Sequence, residues 1–158
     1  MKTLYILRHG QKDDSNINEY DFDVKLTSKG KEDSKKIGQK LKEKNIMPDL
    51  IVSSPAMRAR TTAQIVADEI NYSKNIMFNE VIYQAFLNEI LESITYTFDT
   101  VDTLLIVGHN PSLTALAISF VGYKEDLKMA NAIRIDFDCN SWTSIDRVNA
   151  RFIELIEP

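Results

Sequence analysis

A chain of 158 residues, 44% hydrophobic and 27% charged, is long enough to bury one sizeable core and has the balance of an ordinary globular protein. A formal net charge of −4 speaks against general nucleic-acid binding, and no apolar run approaches the roughly 18–20 residues that span a bilayer. The single cysteine, Cys139, excludes an internal disulfide and a multi-cysteine metal site; with no signal-peptide pattern ahead of Arg8, a cytoplasmic location is expected.

The first apolar run, residues 3–8, predicts a strand that ends at His9-Gly10. A polar loop to Leu26 follows, and Thr27 is placed to cap a helix running to about Asn45. Ser34, Ile37, Gly38 and Leu41 share its inner face, and the small Ser34 and Gly38 would let it lie close to a sheet. From Lys29 to Lys44 seven lysines stand against three acids, the pattern of a solvated helix face with Glu32 and Lys36 spaced as an i,i+4 pair.

Asp49 to Ser53 predicts a second strand, and Pro55 the start of a helix over 56–70 with Ala59, Thr62, Ala63, Val66 and Ile70 inward. A short strand at 76–79 precedes a helix carrying Leu87, Ile90, Leu91, Ile94 and Phe98 on one face. Residues 103–107 form the next strand, followed by a helix capped at Asn110-Pro111 with Leu113, Leu116, Ala117, Phe120 and Val121 inward. The tail predicts three short strands, 132–137, 141–145 and 151–156, antiparallel at a sheet edge. Strands alternating with helices imply a three-layer α/β/α sandwich with a mainly parallel central sheet. Neither repeats nor a Pro/Gly-rich linker interrupts the chain, so residues 1–158 are expected to form one domain.

Three junctions hold the residues with chemistry: Arg8-His9-Gly10, Ser53-Ser54-Pro55-Ala56-Met57-Arg58, and Gly108-His109-Asn110-Pro111. If their strands are adjacent and parallel, all three open on one edge, where open α/β sheets bind ligands. Arg8, His9, Arg58 and His109 would then share a pocket. Arginine forks suit phosphoryl oxygens, and a neutral imidazole is a competent nucleophile toward phosphorus. Thr61 and Thr62 are ordinary helix residues, or a hydroxyl near the pocket binds phosphate. Neither histidine has a second His or Cys at ligand spacing, although Asp13 and Asp14 lie near, so no metal or other cofactor is expected. Trp142 and the aromatics around 83–98 read as packing, and Cys139 as inert.

These motifs, with Leu26-Thr27-x-x-Gly30 at the head of the first helix, resemble the histidine phosphatase superfamily, also called phosphoglycerate-mutase-like, over residues 3–122. The short length and the Val107-Gly108-His109-Asn110-Pro111 wording are most similar to SixA-type phosphohistidine phosphatases. The resemblance implies a phosphoglycerate-mutase-like fold and a metal-independent two-step reaction. His9 would take the phosphoryl group, water would release it, and Arg8, Arg58 and His109 would hold its oxygens. Gln11 and Asn16 are further substrate-binding candidates, Asn16 standing one place later than the family's asparagine. The expected substrate is a phosphorylated protein or a small phosphorylated molecule. Alternatives are a phosphatase of small phosphate esters and a non-catalytic phosphate- or phosphopeptide-binding module. Larger members carry a glutamate as general acid in mid-chain; the comparable stretch has Gln84, with Glu80 and Glu89 nearby. An acid-poor site favours P–N over P–O substrates, because expelling an alkoxide calls for a proton donor.

Overall fold

Alternation along the first strand, β1 (Lys2–Arg8), sets the layers: Leu4 and Ile6 enter one core, Tyr5 and Leu7 the other. β4 (Thr103–Gly108) repeats the pattern, with Leu104 and Ile106 on the first face and Leu105 and Val107 on the second. The computed structural model describes residues 1–158. With β2 (Leu50–Ser53), β3 (Met77–Phe78), β5 (Ala132–Phe137) and β6 (Ala150–Ile156), these strands form one sheet in the order β3-β2-β4-β1-β5-β6. β3, β2, β4 and β1 pair in parallel, while β5 pairs antiparallel with both β1 and β6.

Helices α1 (Ser28–Glu43) and α2 (Met57–Glu69) cover the Tyr5 and Leu7 face through Ile37, Leu41, Ala59, Ala63 and Val66. Helices α3 (Leu87–Thr95) and α4 (Ser112–Val121) cover the other through Ile90, Ile94, Leu113, Leu116 and Phe120. Each fully buried Leu or Ile is worth about 1.5–3 kcal/mol, so two filled cores fix the strand ends firmly. No helix is long and apolar enough to cross a membrane.

The α/β layering expected from the sequence is the one observed, with several local corrections. Residues 141–145 are not a strand. Ser141 Oγ accepts from Thr143 N (3.3 Å), and the Trp142 indole, buried, donates to the Val101 carbonyl (2.7 Å), which together fold a 3₁₀ turn over Trp142–Ser144. The other two tail strands, β5 and β6, do pair antiparallel at one edge of the sheet, with β6 outermost. The 76–79 strand shrinks to two residues. Phe98 lies past the end of α3 and is exposed, since the chain turns there toward β4, with Val101 N bonded to the Phe98 carbonyl (3.0 Å).

Thr27 caps α1 by accepting from Gly30 N (3.0 Å). The small residues of α1 serve helix-to-helix approach rather than closeness to the sheet: a Cβ on Gly38 would stand 2.6 Å from Glu69 Cβ on α2. The lysine-rich face is solvated and paired, Lys29 with Asp33 and Lys36 with Glu32.

Gly10 and Gly30 are where α1 meets the loop leaving β1. A Cβ on Gly10 would stand 2.6 Å from the Gly30 carbonyl oxygen, and one on Gly30 would overlap the Gln11 carbonyl. Both neighbours are backbone, which cannot swing aside. Gly30→Ala is therefore expected to destabilise the fold by about 1–3 kcal/mol through overpacking. A thermal melt of the variant checks it; an unchanged midpoint would mean that the loop yields freely.

Candidate active site

The strand register carries three junctions to one level. Arg8 stands opposite Gly108 in the β1–β4 ladder, and Ser53 opposite Val107 in the β2–β4 ladder. The ladder continues one step beyond the strands: His9 N bonds the Gly108 carbonyl (3.1 Å), and Ser54 N bonds the Val107 carbonyl (2.9 Å). His9 and His109 thus emerge as neighbours, with ring centroids 5.1 Å apart and planes tilted by 54°. Both are buried, at 4% and 7% exposure, as is Arg58 at the start of α2.

His9 Nδ1 lies 2.6 Å from the Gly10 carbonyl oxygen. A carbonyl only accepts, so Nδ1 carries the proton and Nε2 keeps its lone pair. Burial, reinforced by Arg58, Arg8 and Lys12 against the bond to Gly10, pushes the His9 pKa down to about 4. His109 Nε2 lies 2.7 Å from Ser54 Oγ. Ser54 Oγ already accepts from Ala56 N (3.2 Å), which leaves its own proton free for His109 Nε2. In that tautomer Nδ1 of His109 is a donor, and it has no partner. Burial, with His9 and Arg58 nearby, takes the His109 pKa down to about 3. Both rings are neutral at pH 7.

Arg8 is held from the β4–β5 side. Its Nη1 donates to the Leu127 carbonyl (3.1 Å), which also accepts from Asn110 Nδ2 (2.9 Å). Its backbone is tied to the segment before β5, through Asn131 O (3.1 Å) and Ala130 N (3.0 Å). Arg58 is held from the loop after β1: Nη1 donates to the Asp21 carbonyl (2.6 Å) and Nη2 to the Asp21 carboxylate (3.0 Å). Three buried side-chain nitrogens in the molecule lack a hydrogen-bond partner: Arg8 Nε, Arg58 Nε and His109 Nδ1. All three belong to this cluster. Buried donors are normally satisfied, so a concentration of exceptions in one cluster leaves a place chemically suited to an anion.

The structure brings together Arg8, His9, Arg58 and His109, as expected from the sequence. It does not bring Asn16 to them; that residue is exposed and its Oδ1 closes a turn with Asn18 N (3.1 Å). The Gln11 carboxamide oxygen is occupied by the Thr27 hydroxyl (2.8 Å). Thr62 is fully buried and binds no open face, because its Oγ1 accepts from Gly10 N (3.1 Å) and donates to the Arg58 carbonyl (2.8 Å). It clasps the β1 loop to α2. Asn110 does act as the cap expected of it, accepting from Thr114 N (3.2 Å) and Thr114 Oγ1 (2.9 Å), although α4 begins at Ser112, one residue later than expected. Gln84 is exposed, and Glu89 is spent on the Phe86 amide (2.9 Å) at the start of α3.

Two residues of the cluster escaped the sequence reading. Tyr83 is not packing: its ring meets His109 edge-on at 5.6 Å, and its hydroxyl donates to the Asp21 carboxylate (2.7 Å). Burial and that bond to Asp21 raise the Tyr83 pKa to about 12, so the phenol stays protonated. The Tyr83 bond, with Arg58, holds the Asp21 pKa below the usual carboxylate range. The available signal was positional, since Tyr83 follows β3 and so leaves the sheet at the same edge as the histidines.

The sequence model of the histidine phosphatase superfamily (branch 1) matches residues 4–90. The chain is 31% identical over 135 residues to an uncharacterized protein of Picosynechococcus, with 82% of each chain covered. It is 42% identical over 67 residues to the 2,3-bisphosphoglycerate-dependent phosphoglycerate mutase of Bifidobacterium longum, a match covering 41% of this chain and 27% of that enzyme. The chain thus spans about a quarter of the length of the mutases it matches. A protein assigned as the phosphohistidine phosphatase SixA of Agrobacterium tumefaciens superposes with a TM-score of 0.86 at 24% identity, covering 99% of this chain and 98% of that one. The protein histidine phosphatase SixA complexed with tungstate superposes at 0.83 and 18% identity, covering 98% and 96%. At these identities the likeness is one of fold.

The chain has only two histidines, so their titration can be read without ambiguity. With folded pKa values of about 4 and about 3, their contribution to stability is intact above the ordinary value of 6.5 and is lost as pH falls toward those values. Imidazole resonances of the free protein should stay flat between about pH 8 and pH 5. A proton NMR titration checks this; a midpoint near 6.5 for either ring would show that it is not desolvated.

Proposed function

Because the chain belongs to the histidine phosphatase superfamily, we propose that it is a metal-independent phosphatase that passes a phosphoryl group through His9, with protein-borne phosphohistidine as its substrate. The observation that carries this reading is the set of three unpartnered donors, Arg8 Nε, Arg58 Nε and His109 Nδ1, grouped around a histidine whose Nε2 is free.

The Nε2 lone pair of His9 attacks phosphorus as the bond from phosphorus to the leaving imidazole breaks, that electron pair returning to the leaving nitrogen. His9 becomes a phosphoimidazolium, and the Gly10 carbonyl on Nδ1–H stabilises the new positive charge. Water then attacks phosphorus, the P–Nε2 pair returns to His9, and inorganic phosphate leaves. In both steps Arg8, Arg58 and His109 hold the equatorial oxygens, which is chiefly electrostatic work. No three His, Cys, Asp or Glu side chains are grouped to hold a metal ion, so the positive field in this scheme is that of the two guanidinium groups.

The preference for a P–N bond follows from the carboxylate at the site. Asp21 accepts from Arg58 and Tyr83 and is held in its charged form, so it has no proton to offer an alkoxide. The Tyr83 proton is committed to Asp21. An imidazole leaving group needs neither, because solvent protonates its nitrogen.

His9→Ala should abolish turnover of phosphoramidate while retaining inorganic phosphate binding. Rapid-quench mass spectrometry should show one added phosphoryl group on His9, and its absence during turnover would refute the intermediate. Arg58→Ala should lower kcat by about 10²–10³-fold, the loss typical of removing one stabiliser of transition-state charge. Activity should survive EDTA; loss restored by a divalent ion would contradict the metal-free scheme. Equal or faster turnover of alkyl phosphates would instead favour a small-ester phosphatase.

A further inference from the structure

The reactive centre is sunk beneath two surface segments. The first is the loop 11–26 after β1, the second the stretch 79–89 between β3 and α3. Asp21 and Tyr83 join them by a hydrogen bond of 2.7 Å, and Phe22 meets Tyr83 edge-on at 5.2 Å. Together they form a collar, tied to the site itself through the bond from Arg58 to Asp21 and the contact of Tyr83 with His109.

The collar has two unusual properties. It exposes large apolar side chains that fill no core: Ile17 at 91%, Tyr20 at 82%, Phe86 at 74%, with Phe22 and Val81 beside them. It is also acidic. The first segment carries Asp13, Asp14, Glu19, Asp21 and Asp23 against Lys12 and Lys25, with Asp21 further paired to Arg58, and the second carries Glu80 and Glu89 and no cation. A cationic floor with an acidic, aromatic rim is a poor entrance for a small free anion, which the rim repels. It is a good one for a phosphoryl group delivered on a surface of opposite character.

We propose that this collar is the docking surface for the phosphorylated protein, and that it fits a carrier face that is apolar and basic around its phosphohistidine. The inference rests on the phosphatase reading above and adds to it the chemistry of the partner. Two arguments carry it. His9 and His109 are 4% and 7% exposed, so a phosphorylated imidazole that reaches them brings its carrier close against the segments around them, the collar among these. The rim's carboxylates and unpaired aromatics then meet whatever flanks that imidazole, and charge complementarity requires lysine or arginine there. Because Asp21, Phe22 and Tyr83 are already locked together, docking orders little that is not ordered beforehand.

The test uses the whole chain and two synthetic peptides of equal length, each phosphorylated on one central histidine. One is flanked by Arg and Leu, the other by Glu and Ser. Phosphate release should give the Arg/Leu peptide a kcat/KM higher by roughly tenfold or more at low salt, with the advantage shrinking as salt screens the rim. In the double variant Tyr20→Ser, Phe86→Ser, kcat/KM for that peptide should fall about fivefold or more, while phosphoramidate turnover stays at the parent level. Equal rates for the two peptides, or a faster Glu/Ser peptide, overturn this inference and leave the phosphatase reading standing. If neither peptide nor phosphoramidate is hydrolysed, the phosphatase reading fails and this inference with it.

Discussion

Because Arg8 is level with Gly108 across one parallel ladder and Val107 with Ser53 across the next, the residues following β1, β4 and β2 leave the sheet side by side. Parallel pairing is what permits this, since three antiparallel neighbours would send alternate junctions to opposite edges. The two hydrophobic cores hold the register, because slipping one strand by a residue would turn Leu4 and Ile6 out of one core and Tyr5 and Leu7 out of the other. The distance between His9 and His109 is thus set by packing that neither histidine takes part in.

The cluster so assembled is electrostatically incomplete. Two guanidinium groups and a ring nitrogen have donors with no acceptor, in a molecule whose other buried polar side-chain atoms are satisfied. Arg58 is partly answered by Asp21, which takes both Nη nitrogens and leaves Nε open. Arg8 is answered by a single carbonyl, that of Leu127. The fold tolerates unsatisfied donors here because Thr62, Ser34 and the Gly10–Gly30 contact bind the surrounding backbone tightly. Unmet donors of this kind are expected to concentrate at functional sites, which fits the proposed anion-binding role of the cluster.

The sequence made some of this legible and hid the rest for identifiable reasons. Hydrophobic period located the four helices and most strands, and the glycine beside each histidine signalled the junctions that the structure brings together. Arg8, His9, Arg58 and His109 were readable because each ends or follows a strand, or stands in the first turn of a helix, at a shared edge. Asp21 and Tyr83 were harder to read: β3 does lead Tyr83 toward the shared edge, but Asp21 lies inside a polar loop, and nothing along the chain announces its bond to a residue 62 positions away. Ser141–Ile145 has the β-branched and aromatic content of a strand, yet one hydroxyl and one indole bond fold it into a turn. Lys2 likewise looks like a surface residue, yet it is buried, donating to the carbonyls of Asp99 and Val101 and to the Asp102 carboxylate. Local pattern reports propensity; these outcomes depend on partners far along the chain.

Asp21 links the electrostatics of the site to its chemistry. A carboxylate against a pocket of neutral imidazoles has the right element for a general acid, but acid catalysis requires a proton on it at working pH. The donors of Arg58 and Tyr83 stabilise the charged form instead, moving its pKa away from neutrality. The same bonds give Asp21 a different task, since it fixes the Arg58 fork from one side and the Tyr83 phenol from the other. An acid strong enough to protonate an alkoxide would have to be released from both partners, and Arg58 would lose its anchor as the phosphoryl group arrived. Holding the arginine and supplying the proton are therefore incompatible roles for this side chain. A leaving group that takes its proton from water removes the conflict.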